Sequence, residues 1–240
     1  MKTDRIVRVA TLNNFNYTDA EIEQVRELQE SYRYVFVNSH RNTRLRALGV
    51  PVVVTLNPNV TDQAPLKGDL SDVACVRIKY VHSPIGKAAL EQCFEYCSLN
   101  GFTPLMTLFR MKSKKTRDRF LDEESRNHYA WIRNFFRLTP QGKRSAIRWI
   151  KARAKAWRLD VKFCDEKGGG CPDCGNCSKL TFGVDLPIYE VNLSSSGHCP
   201  YNCVDCFAKS LVKKNRGRIS FDTVKMNAKQ KGKHKSTTHD

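Results

Sequence analysis

Residues Val50 to Leu56 read VPVVVTL, an almost unbroken run of apolar, strand-forming side chains. A strand that shows neither face to water has to be covered on both, which is the mark of a strand inside a parallel sheet. A strand with one wetted face would alternate polar and apolar residues instead. The run has company. Arg5 to Leu12 (RIVRVATL), Tyr34 to Val37, Ala74 to Val81, Thr103 to Phe109, Asp160 to Cys164 and Ile188 to Leu193 also read as strands. Helix signals fall between them. Thr18 and Glu21 form a capping box ahead of Ile22, Val25 and Leu28 on one helical face, and Pro84 to Leu99 is a helix stopped by Gly101. Strands alternating with helices build βαβ units with right-handed crossovers. The expected fold class is α/β, a partial (β/α) barrel-like parallel sheet. Polar residues follow several strand ends (Asn13 and Asn14, Asn38, Asn57 and Asn59, His82, Arg110, Asp165 and Ser194), on the face where barrel sites are built.

The charge is lopsided. Lys and Arg number 41 against 24 acids, a net +17, and the excess is concentrated in two stretches. Arg110 to Arg158 and Phe207 to Asp240 together hold 26 of the 41 basic residues. The first stretch reads as two inserted basic helices, roughly Arg117 to Phe136 and Gln141 to Trp157, with Thr139-Pro140 as the break and helix start. The second reads as a short basic helix followed, from Lys225, by a polar basic arm. Such segments suit the phosphates of RNA or DNA, and they equally suit plain solvation. Aromatics are interleaved with the basic residues: Tyr129, Trp131, Phe135, Phe136, Trp149 and Trp157. They could stack on bases, but Trp131, Phe135 and Leu138 recur at helical spacing, which favours a core face. No stretch approaches the roughly 18 consecutive apolar residues of a membrane span, so no membrane partner is expected. Asp4, Asn13, Asn14 and Asp19 do not suit a signal peptide, so the expected location is cytoplasmic.

Ten cysteines in such a context point to metal rather than disulfides. Cys75, Cys93 and Cys97 sit in strand and helix patterns and read as buried apolar groups. The other seven crowd between Cys164 and Cys206. Cys164 is followed by Cys171-Pro-Asp-Cys174-Gly-Asn-Cys177, entered through Gly168-Gly169-Gly170, with the x2/x2 spacing of a ferredoxin-type iron–sulfur run. Cys199-Pro-Tyr-Asn-Cys203-Val-Asp-Cys206 follows the last strand and the Ser194–Gly197 loop. A zinc ribbon drawn from Cys171, Cys174, Cys199 and Cys203 is the alternative, and it would strand Cys177 and Cys206. Seven thiolates divide more naturally as four plus three. Three leave one iron open to an outside ligand, or His198 closes that position and the site is structural.

The segment Cys199-x3-Cys203-x2-Cys206, placed after a strand, resembles the cluster loop of the radical S-adenosylmethionine superfamily. The resemblance implies that Cys199, Cys203 and Cys206 hold a 4Fe–4S cluster whose open iron chelates S-adenosylmethionine at the mouth of a partial (β/α)6 barrel. It further implies a second cluster on Cys164, Cys171, Cys174 and Cys177, similar to the auxiliary clusters of many members. This chain departs from the family pattern in three ways. Asp205 stands where an aromatic is usual before the last Cys. The motif lies near the C-terminus rather than ahead of the barrel, which requires a circular permutation with the strand Ile188–Leu193 as the barrel's first. Where the family's Gly-Gly-Glu would fall, the chain reads Asn13-Asn14-Phe15-Asn16, so Asn13 and Asn14 become the candidate contacts for S-adenosylmethionine.

Two function classes follow. One is an enzyme that cleaves S-adenosylmethionine reductively, with an electron donor, to modify a substrate such as nucleic acid by radical chemistry. The other is a non-enzymatic, metal-stabilised (zinc or iron–sulfur) protein that binds nucleic acid. The expected organisation is a barrel over residues 1–206, with the basic insertion at about 110–158 and the cysteine-rich region at 164–206, then a basic helix and tail over 207–240.

Overall fold

The computed structural model describes residues 2–11, 19–39, 45–56, 70–132, 134–164, 176–184, 186 and 188–193. Asn13, Asn14, Cys171, Cys174, Cys199, Cys203, Cys206 and the segment 207–240 therefore lie outside the described residues.

All seven expected strands form, and they join one parallel sheet. In chain order these are β1 (Thr3–Thr11), β2 (Tyr32–Ser39), β3 (Val52–Leu56), β4 (Val73–Tyr80), β5 (Pro104–Leu108), β8 (Lys162–Phe163) and β9 (Ile188–Leu193). A hairpin between β5 and β8 contributes β6 (Tyr129–Ile132) and β7 (Phe135–Leu138). The sheet order is β8-β5-β4-β3-β2-β1-β9, and the sheet curls into a half-barrel. From β1 to β5 the order never reverses, so right-handed crossovers all put their helices on the same side. The helices α1 (Asp19–Ser31), α2 (Pro84–Leu99) and α5 (Pro140–Ala156) do lie together on one face. There Ile22, Val25, Leu90, Phe94, Ala146 and Ile150 pack against the alternate strand residues Val7, Val35, Val52, Val54, Val76 and Met106.

The opposite, inner face carries the remaining residues of each strand. Ile6, Phe36, Val53, Cys75 and Leu105 meet α6 (Asn176–Phe182), a short helix that crosses inside the half-barrel. Phe182 packs on Tyr34 and Phe36, with ring centroids 5.3 and 6.2 Å apart, and Asn176 Nδ2 donates to Phe163 O at 2.7 Å. With α6 beneath and the helices outside, every residue of β3 is buried, as the VPVVVTL run requires.

The basic insertion corrects the sequence reading. No helix spans Arg117 to Phe136. Two short helices, α3 (Lys114–Phe120) and α4 (Glu123–Arg126), are each started by a side-chain cap: Ser113 Oγ accepts from Thr116 N and Asp122 Oδ1 from Ser125 N. The hairpin follows. Tyr-Ala-Trp-Ile and Phe-Phe-Arg-Leu are aromatic-rich runs that favour strands, and Asn134, at φ 66°, turns the chain in the left-handed region that Asn tolerates. The i, i+4 spacing of Trp131 and Phe135 was a coincidence of two facing strands, in which Trp131 opposes Phe136. The second basic helix forms as expected, capped by Thr139. Among the described residues, no helix is long and apolar enough to cross a membrane.

Candidate functional site

Reading each inner-face strand toward its C-terminus, apolar residues give way to polar ones. Ile6 is followed two residues on by Arg8, Phe36 by Asn38, Val53 by Thr55, Cys75 by Arg77 and Lys79, and Leu105 by Thr107. The period of two puts each pair on one face. The apolar members form the floor with α6, and the polar members line a basin above it, at the C-terminal ends of the parallel strands. Open and closed α/β sheets alike bind ligands at that edge. Arg8, Asn38 and Thr55 are buried there.

Two cysteines of the sequence-predicted set are described, and they meet at this floor. Cys164 follows β8, its amide donating to Met106 O at 2.7 Å, and Cys177 sits in the first turn of α6 at 3 % exposure. Arg77 Nη2 donates to Cys177 Sγ at 3.1 Å and reaches Asn38 Oδ1 at 3.3 Å. The thiol of Cys177 is drawn down from 9.0 to about 6, first by a hydrogen bond from Cys164 and then by the Arg77 guanidinium, with Arg8 adding to it, against the opposing effect of burial. At neutral pH Cys177 is therefore a thiolate, the form that ligates soft metals. Cys75, in the same inner cluster, goes the other way: burial pushes it up to about 12. Cys93 is likewise raised to about 12 and Cys97 is fully buried, so these three read as apolar packing groups, as expected. Among the described residues no group of three or more metal-ligating side chains converges.

At the rim, just past β4, a second polar cluster ties the basic insertion to the sheet. His82 Nδ1 lies 2.9 Å from the Tyr80 hydroxyl, its Nε2 lies 3.2 Å from Ser145 Oγ, and its backbone amide donates to the Tyr129 hydroxyl at 2.8 Å. Burial, with Lys87 and His128 nearby, holds His82 down at about 4, so it is neutral. Val81, Met111, Phe120, Leu121, Tyr129 and Phe136 pack beneath this cluster. The hairpin is thus fixed at the C-terminal edge of the sheet, beside the basin. Of the interleaved aromatics, Tyr129 and Phe136 are buried, Trp149 stacks on Tyr80 at 5.9 Å, and Trp157 Nε1 donates to Glu91. Trp131 stays 53 % exposed.

Arg8, Arg77 and Thr107 were not singled out from the sequence. The signal was present as a polar residue two places beyond each inner apolar one, and it becomes readable only once the inner face is known.

No model of a known protein family matches the chain, and no curated protein matches it. Among solved structures it is similar to the "N-terminal domain of a putative aldolase from Bacteroides vulgatus", at 13 % identity over 95 % of this chain and 86 % of that one, with a TM-score of 0.37. A likeness of that size carries no argument about fold or chemistry.

Proposed function

We propose that this chain is an iron–sulfur protein of the radical S-adenosylmethionine type, built on a circularly permuted half-barrel in which β9 is the first strand and β1 to β5 follow. The observation that carries the reading is the parallel register of β9 on β1, from Ile6 opposite Ile188 to Thr11 opposite Leu193. With it, β9-β1-β2-β3-β4-β5 is an uninterrupted six-strand order of the kind a partial (β/α) barrel needs. Cys199 follows Leu193 by six residues, a covalent reach of at most about 20 Å from the C-terminal end of β9.

The described thiols suit such a group. Cys177 is ionised and hydrogen-bonded by Cys164, and a thiolate held under a guanidinium beside a second thiol is donor chemistry an iron–sulfur cluster would take. Cys199, Cys203 and Cys206 would hold the cluster with the open iron, and Cys164, Cys171, Cys174 and Cys177 a second cluster. Asn13 and Asn14, just beyond β1, would meet S-adenosylmethionine. When bound, these groups would supply one-electron and radical chemistry to a substrate, with the electron coming from a donor partner. The chain's own residues do the rest. Arg77 holds Cys177 and Asn38 in place, α6 closes the floor, and Arg8 and Lys79 would add positive charge to the same face. The basic residues of 110–158 and 207–240 would meet the phosphates of RNA or DNA, which makes nucleic acid the substrate class.

Anaerobic purification with iron, sulfide and zinc analysis tests this. Iron and sulfide in equal amounts with a broad charge-transfer band are expected. Cys199→Ala should lose one cluster and the spectroscopic response to S-adenosylmethionine, and Cys177→Ala the other cluster alone. Stoichiometric zinc without that band would sink the reading in favour of a metal-stabilised binding protein.

A further inference from the structure

The hairpin tip is an unusual surface for this molecule. Trp131 and Ile132 are 53 % and 40 % exposed on opposite faces at the turn end of a two-stranded ribbon. Trp131 rests one edge on Phe136 at 4.8 Å, an arrangement that fixes the indole while leaving much of it in water. The neighbouring aromatics are already carrying cations: Arg117 lies 4.9 Å over the Phe136 ring and Arg137 lies 5.5 Å over Phe135. The adjoining turn and α3 expose Lys112, Lys114, Lys115 and Arg119. Of the insertion's exposed acids, Asp118 is bridged to Arg117 and Arg126, while Asp122, Glu123 and Glu124 lie at and in α4.

A half-exposed aromatic packed against Phe136, on an insertion that also exposes four cations, matches one ligand chemistry: stacked bases on a phosphate chain. A duplex hides its bases from such a tip, so the match is to a single strand. An apolar protein partner would leave the surrounding cations unpaired, and an acidic peptide would leave the indole without a stacking partner. We propose that the β6–β7 hairpin is a grip for single-stranded nucleic acid, with Trp131 as a base-stacking platform and Lys112, Lys114, Lys115 and Arg119 as phosphate contacts. The inference rests on the proposed function only in deepening its substrate class. Its geometric support is independent of any cluster: Met111 and Phe136 exchange backbone hydrogen bonds at 3.0 and 2.8 Å and the Tyr129 hydroxyl accepts from His82 N, which anchors the hairpin at the same strand edge as the basin.

The test is anisotropy of a labelled single-stranded oligonucleotide titrated with the full chain, with a duplex of equal length and polyglutamate as competitors. Iron and sulfide are measured on every sample. Trp131→Ala should weaken single-strand binding about tenfold, and Trp131→Phe, which keeps a stacking face, should restore most of it. Replacing Lys114 and Lys115 by Glu should flatten the salt dependence by about 1.4 in log–log slope, two single-strand phosphates' worth. Leu99→Ala is the control: Leu99 is 80 % exposed at the far end of α2, and its loss should change nothing. Iron content should be unaffected in all of them. Failure of the wild type to bind near 50 mM salt, equal binding by Trp131→Ala, duplex preferred to single strand, or competition by polyglutamate as strong as by the oligonucleotide would each overturn the grip. Absence of iron with binding intact would instead overturn the enzyme reading alone.

Discussion

Replacing Arg77 with Met removes the guanidinium from Cys177 Sγ, 3.1 Å away, while keeping a side chain of similar reach. In metal-free, reduced protein the consequence is a change in how stability depends on pH. The Cys177 thiol is held at about 6 in the fold, against 9.0 when unperturbed. A folded-state pKa below the unfolded one contributes stability that is complete above the unfolded value and vanishes as pH falls through the folded one. The window is therefore about pH 6 to 9. Three pH units at about 1.4 kcal/mol each make the full contribution about 4 kcal/mol, of which about 2 kcal/mol should appear between pH 6 and pH 8. Without Arg77, burial works against the thiolate with only the Cys164 hydrogen bond and Arg8 opposing it, and the thiol moves back up. The other described histidine and cysteines with shifted titration act outside that contrast. His82 acts below its ordinary value near 6.5 and is common to both proteins, while Cys75 and Cys93, raised to about 12, act only above about pH 9. Urea denaturation at about pH 6 and about pH 8, with ultraviolet absorbance of the thiolate followed across the same range, measures both quantities. The Arg77→Met protein should lose part of the rise of about 2 kcal/mol, the Cys164 hydrogen bond keeping the rest, and Arg77→Lys should lose less. An unchanged thiolate titration together with an unchanged pH slope would refute the assignment of Arg77, beside Cys164, as a group that holds Cys177 ionised.

The rim cluster and the close approaches of the fold give further expectations. His82 is neutral in the fold at about 4 while its unfolded form takes a proton near 6.5, so stability should fall by up to about 3 kcal/mol as pH drops through that interval. His82→Gln should shallow that acid limb of the denaturation profile, and an unaltered limb would assign it elsewhere. Gly86, in the first turn of α2, leaves no room for a side chain: a Cβ there would run into the carbonyl oxygen of Val81. Gly86→Ala should therefore cost about 3 kcal/mol or more by urea denaturation, through displacement of α2 and of the His82 loop it supports.

Most of the sheet was legible in the sequence because its signals are local. The VPVVVTL run, the β-branched RIVRVATL stretch and the Pro84–Leu99 helix with its Gly101 stop each announce themselves through side-chain periodicity and capping, and all formed close to where they were read. The pairing of Ile188–Leu193 with the N-terminal strand was expected from the order of motifs, and the register of β9 on β1 agrees with it. The Arg117–Phe136 helix was misread because aromatic residues four apart satisfy a helical face and a hairpin alike. Local propensity cannot choose between them; the bridge between Met111 and Phe136 and the seat of Tyr129 on His82 N do. The basin needed still more. Arg8, Asn38, Thr55, Arg77 and Thr107 belong to five different strands, and only the parallel sheet gathers them on one face. Cys164 and Cys177 could be nominated as thiol ligands from spacing alone, but the ionisation of one of them could not. It depends on a guanidinium 100 residues away in sequence, brought to 3.1 Å by the packing of α6 against β4. Electrostatics is set by distance in space, and that distance exists only after the chain has folded.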